Sequence, residues 1–148
     1  MKKLRSLVLV LTALFSVSCS KDNDGEPLIS NQEMVLGSWR LQEVVYTNAF
    51  GISTTEDATN LMFHQYIFQT EGKLTSNLQT LHEDQTPDGE LQTTENTYNI
   101  SPDGKQISIT NNRVTQTGSI LRLGKTDFHY KMNIGTNATA EYHLKRTN

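Results

Sequence analysis

From Gly37 onward the apolar residues of this chain recur at every second position, and glycine or asparagine breaks the pattern at short intervals. A period of 2 belongs to strands, whose side chains alternate between faces, and it excludes helices as the main building block. The pattern predicts eight strands, near 38–47, 62–69, 73–81, 91–100, 105–110, 113–123, 126–134 and 138–146. Glu71-Gly72, Asp103-Gly104, Asn111-Asn112 and Gly124-Lys125 bring the Gly and Asn that hairpin turns need for positive φ. Strands joined that tightly are antiparallel neighbours, because parallel strands need long crossovers. One helical turn is expected outside this pattern, at 31–36 with Asn31 as its cap.

The last hairpin lets the register be read. With Gly135-Thr136-Asn137 as its loop, Ile134 faces Ala138, Met132 faces Ala140, Tyr130 faces Tyr142 and Phe128 faces Leu144. The intervening pairs are Asp127 with Lys145, His129 with His143, Lys131 with Glu141 and Asn133 with Thr139. Two of these are opposite charges, worth roughly 0.2–1 kcal/mol each across a sheet. One face is dry and the other wet, and a slip of one residue would exchange them. Phe68 opposite Leu74, Ile109 opposite Val114 and Leu121 opposite Phe128 extend the dry face. Eight sequential strands with one apolar face close into an up-and-down antiparallel β-barrel, an all-β fold without exposed edges. A two-sheet sandwich is the alternative.

The amino terminus has a different logic. Lys2, Lys3 and Arg5 precede an apolar run from Leu7 to Phe15, the length of a secretory signal core and too short to span a bilayer. Phe15-Ser16-Val17-Ser18-Cys19 resembles a bacterial lipobox, with Ser16 where an aliphatic residue is usual. That resemblance implies cleavage before Cys19 and a lipid on its sulfur, so that the membrane is a partner; an ordinary signal peptide is the alternative. Cys19 is the only cysteine, which leaves no disulfide and no Cys-based zinc site. Three segments result: a signal peptide at 1–18, a lipidated tether at 19–33 and a barrel domain at 34–148. Acidic residues after Cys19 also resemble the surface-export signal of Bacteroidetes lipoproteins, although a plain spacer would look the same. Loss of 1–18 leaves 10 Lys and Arg against 16 Asp and Glu, a formal charge of −6 that disfavours nucleic acid as a partner. The expected location is the outer membrane, on its periplasmic or surface face.

Gly37-Ser38-Trp39, opening the first strand, resembles the G-x-W signature of lipocalins. Thr126-Asp127-Phe128 stands where lipocalins carry a Thr-Asp-Tyr-like turn, and Arg146 follows Leu144 near the end. The resemblance covers most of 34–147 and is strongest to the compact lipocalin-like lipoproteins of Bacteroidetes. It implies that Trp39 closes the barrel floor beneath Arg146, and that the segment 48–60 lids the open end with Phe50 and Ile52.

An eight-stranded barrel is just wide enough to be filled by side chains or to hold one small ligand. Tyr46, Tyr66, Leu78, Tyr98, Tyr130, Met132 and Tyr142 are the candidate ligand-binding residues on the inner face. Buried tyrosine hydroxyls need partners, so such a cup would suit a small hydrophobic molecule with a polar group. The long segments 48–60 and 82–90 share one end by meander geometry, which makes that rim the expected mouth. The competing reading is a filled barrel that works through protein contacts, as an inhibitor, an immunity-type protein or an accessory subunit of an envelope complex. His129 and His143 face each other and could share a metal ion. They point outward with no obvious third ligand, so a solvated pair is the expectation and no metal or cofactor is assigned. His64 and His82 are too scattered to form a site. With no G-x-S-x-G, no HExxH and no phosphate-cradling loop, an enzyme is not expected.

Overall fold

The computed structural model describes residues 30–147. The signal segment, Cys19 and most of the expected tether lie outside the described residues. A short helix, α1 (Asn31–Val35), comes first, followed by β1 (Gly37–Thr47), β2 (Ser53–Asp57), β3 (Met62–Phe68), β4 (Lys73–Leu81) and β5 (Pro87–Ile100). Then come β6 (Gln106–Asn111), β7 (Val114–Leu123), β8 (Asp127–Asn133) and β9 (Thr139–Thr147). Every pairing is antiparallel, and β1 pairs with β9 to close the sheet on itself. The fold is therefore an up-and-down eight-stranded barrel with one extra strand, and the sandwich alternative falls.

The extra strand corrects the sequence reading. β2 lies inside the segment 48–60, where the sequence pattern predicts only a loop, and pairs with the outer half of β1 from Glu43 to Thr47. β3 takes over the inner half, from Gly37 to Arg40, so β2 and β3 share one side of β1 end to end. All five residues of β2 are exposed, so no apolar alternation could announce it.

The β8–β9 register is the one read from the sequence, pair for pair from Asp127–Lys145 to Asn133–Thr139. Two other pairings differ. The β6–β7 turn uses positive φ at Asn112 and Arg113, so Val114 faces Asn111 and Ile109 faces Gln116. In β7 the register with β8 slips between Ile120 and Arg122, which leaves Leu121 as a bulge, 49% exposed. Leu123 takes its place opposite Phe128. A bulge of this kind inserts one extra residue and so resets the inward phase for the rest of the strand.

The helix starts one residue earlier than expected. Ser30, not Asn31, is the N-cap, and it forms a reciprocal capping box with Glu33. α1 thus takes in residues 31–33, which the sequence reading places in the tether. It is too short to be stable alone and is held by what it covers: Val35 is buried, and its carbonyl accepts a 2.7 Å hydrogen bond from Trp39 Nε1.

Trp39, Phe68 and Phe128 fill the barrel near α1, with ring centroids 5.6 Å apart for Trp39–Phe128 and 5.8 Å for Phe68–Phe128, both edge-on. The Arg146 guanidinium lies 4.2 Å from the Trp39 ring centroid. Arg146 donates to the carbonyls of Leu36 (2.7 Å), Met34 (2.6 Å) and Lys125 (2.6 Å). Gly37 makes room for this cation: its φ is +118°, and a Cβ there would come within 2.7 Å of Arg146 Nη1. Gly37, Trp39 and Arg146 thus meet at this end, with Arg146 inside β9 and directly opposite Trp39. One end of the barrel is sealed.

Candidate functional site

The other end opens. Above Phe128 the inner face carries Tyr130, Tyr66 and Tyr142, and there the packed core gives way to a cup of about 460 Å³. Its rim is the β6–β7 hairpin, with Asn111, Asn112, Val114 and Gln116. This is the end shared by the 48–52 and 82–86 turns, as meander geometry requires. A concavity of about 530 Å³ at the sealed end, between α1 and the Thr70–Gly72 turn, lies outside the barrel and is made largely of turn and helix-cap residues. The cup is the better candidate because its walls are the fixed inner faces of strands.

Tyr130 is 2% exposed and forms the base of the cup. Its ring stacks on Tyr142 at 4.9 Å, and its hydroxyl lies close to that of Tyr66. Burial raises the pKa of both Tyr66 and Tyr130 far above that of a free phenol, so both remain protonated donors. Burial also raises Tyr142. On the facing wall His64 sits with its ring 4.4 Å from Tyr66 and its Nε2 2.9 Å from Ser76 Oγ. Desolvation lowers the His64 pKa, which favours a neutral imidazole at neutral pH. Asn96 adds a buried Oδ1 that has no protein hydrogen-bond partner. Among the described residues that line the cup, none is Lys, Arg, Asp or Glu.

Four of the seven inner-face candidates meet here: Tyr66, Tyr130, Met132 and Tyr142. The other three do not line the cup. Tyr46 packs against the core from β1, with its hydroxyl close enough to Tyr142 and Tyr66 to be felt electrostatically. Tyr98 turns towards the sealed end, where its hydroxyl donates to the Gln69 carbonyl at 3.0 Å and its ring meets Phe68 edge-on at 4.9 Å. Leu78 lies higher on β4, in a separate shallow concavity with Met62, Thr80, Glu90 and Gln92. Phe50 and Ile52 form no lid. They project from the β1–β2 hairpin 89% and 63% exposed.

The polar half of the cup escapes the sequence reading. His64, Ser76, Asn96, Asn111 and Gln116 occupy the phase set by their apolar neighbours, as Ser76 does two residues from Leu74. Carrying the alternation through polar positions would find them. The Ser76–His64 contact has the spacing of a nucleophile and its base. Among the described residues no carboxylate is hydrogen-bonded to the His64 ring, so the pair lacks the third group that would orient the base.

No protein family profile matches the chain, and no curated protein does. Among solved structures the chain is similar to small barrels at low identity. A de novo designed fluorescence-activating β-barrel aligns over 100% of its own length and 81% of this chain, with 7% identity and a TM-score of 0.45. A Schistosoma mansoni fatty acid binding protein in complex with arachidonic acid aligns over 100% of its length and 80% of this chain, with 14% identity and a TM-score of 0.40. A redesigned barrel bound to DFHBI covers 76% of this chain and 99% of its own, with 18% identity and a TM-score of 0.41.

Proposed function

We propose that this protein is a lipid-anchored binding protein of the cell envelope, whose barrel captures a small, uncharged, largely apolar molecule. The observation that carries the reading is the cup. Its volume of about 460 Å³ falls in the range of small-molecule sites, and its wall is divided between aromatic and aliphatic side chains and six neutral polar ones, His64, Ser76, Asn96, Asn111, Asn112 and Gln116. A carboxylate or a cation entering it would shed water without meeting an opposite charge, which is costly. A neutral amphiphile or a planar aromatic molecule would instead find tyrosine hydroxyls, His64 and the Asn96 acceptor. The protein is read as a binder and not an enzyme, since Ser76 and His64 stand without the groups that would activate them.

The envelope setting rests on the first 26 residues: the signal-like run, Cys19 and the acidic segment after it. The lipoprotein of Bacteroidetes type remains the favoured identity on that basis. A second reading, in which the barrel works through protein contacts, draws on Phe50 and Ile52, two large apolar side chains presented to solvent on one hairpin.

Native mass spectrometry on the protein, purified from the envelope of its own host, tests the ligand. The expected spectrum contains the chain plus one small neutral molecule. A bare chain that also takes up nothing from an organic extract of that envelope would remove the carrier reading and leave the protein-contact one. Cell fractionation tests the anchor: Cys19→Ala should move the protein from the membrane to the soluble envelope fraction. Retention on the membrane counts against lipidation.

A further inference from the structure

We propose that His129, Glu141 and His143, on the outer wall of the barrel, form a site for one divalent ion of the zinc class. The β8–β9 register builds it. His129 lies directly across from His143, and Glu141 precedes His143 by two residues, on the same outward face. The imidazole rings stack 4.1 Å apart and within 7° of parallel. One ligand atom from each of the three residues lies within 4.8 Å of the other two. His143 Nε2 and Glu141 Oε1 are already 2.8 Å apart.

The expectation that no acid stands beside the histidine pair is thus corrected twice, because β1 brings a second carboxylate. Glu43 is paired with His143 in the β1–β9 ladder, and its Oε1 lies 2.6 Å from His143 Nδ1. A carboxylate on the far nitrogen of an imidazole fixes the ring and, once the proton at Nε2 is displaced, the tautomer that offers Nε2 to a metal, the usual support for a zinc-binding histidine. Lys131 holds the other oxygen of Glu141 at 3.2 Å, which leaves Oε1 turned to the histidines. A concavity of about 220 Å³ beside the histidine pair is lined by Glu43, Asp127, His129, His143 and Lys145, on the side away from Glu141.

Two imidazoles and one carboxylate form a borderline donor set that suits zinc, nickel or copper over magnesium or calcium. Three protein ligands leave the fourth position of a tetrahedral ion to water. On binding, the ion takes the place of the proton between His143 Nε2 and Glu141, and that proton leaves to solvent. The site lies on the outer face, so it is independent of the ligand reading of the cup.

Calorimetric titration of the untagged protein with zinc chloride is the test. One ion per chain is expected, with affinity falling about tenfold or more in His129→Gln and again in Glu141→Gln. His82→Gln, at an unrelated histidine, should leave the titration unchanged. Near-UV circular dichroism of each variant shows whether its barrel is intact; if His129→Gln is not folded, His129→Asn takes its place. No stoichiometric uptake by the wild type overturns the proposal. So does uptake that survives both His129→Gln and Glu141→Gln, because the ion would then sit elsewhere.

Discussion

Trp39→Ala is expected to cost the barrel about 3–5 kcal/mol, a large part of the stability of an ordinary domain. The side chain is 0% exposed, and three separate contacts end on it. Phe128 packs against it edge-on, Arg146 lies over its face, and its Nε1 holds the Val35 carbonyl of α1. Truncation opens a cavity at the sealed end, strands the Val35 carbonyl and removes the platform beneath a partly buried cation. Arg146 also ties the Met34 and Leu36 carbonyls of the helix end to the Lys125 carbonyl in the β7–β8 turn. The loss should therefore spread to the helix and that turn. Urea unfolding should show a much lower midpoint with the slope unchanged. Trp39→Phe, which keeps the ring but drops the donor, should lose only about 1–3 kcal/mol. A Trp39→Ala protein within about 1 kcal/mol of wild type would mean that the floor is not a keystone of the fold.

How far the sequence foretells this molecule depends on where apolar side chains do the work. Strand pairing between β8 and β9 is legible because four apolar pairs and two charge pairs agree on a single register. β2 is not legible, because Ser53–Asp57 is exposed throughout and joins β1 through backbone hydrogen bonds that any sequence can make. Leu121 is misread for a related reason: a bulge shifts the phase of β7 with no residue type to mark it. The turn after β6 sits one position late because Arg113 adopts positive φ, at 70°, where a rule based on glycine and asparagine does not look. At the candidate site the aromatic residues declare themselves by their bulk. The polar ones stay hidden, since an inward Ser, Asn or Gln resembles an outward one unless the phase is carried along the strand. Phe50 and Ile52 show the opposite error, apolar residues assigned to a lid that hairpin geometry turns towards solvent.

Gln116→Trp should weaken ligand capture roughly ten- to a hundredfold while leaving the barrel intact. Gln116 is exposed, lies opposite Ile109 and lines the upper wall of the cup, where it touches none of the packed floor. An indole there would take space from a cup of about 460 Å³ that a bound molecule would otherwise fill. Overpacking of about 1–3 kcal/mol, transferred to the ligand, weakens binding roughly ten- to a hundredfold. Tyr130→Trp is the less informative variant, although Tyr130 forms the base of the cup. Tyr130 is 2% exposed and stacked on Tyr142, so a larger ring there would strain the fold as well as the site. The comparison to make is between the molecule that co-purifies with wild type and its recovery on Gln116→Trp, with thermal melting measured on both. Equal melting with reduced ligand places the molecule in the cup. Equal melting with undiminished ligand would move the binding site out of the barrel, and the protein-contact reading through Phe50 and Ile52 would then lead.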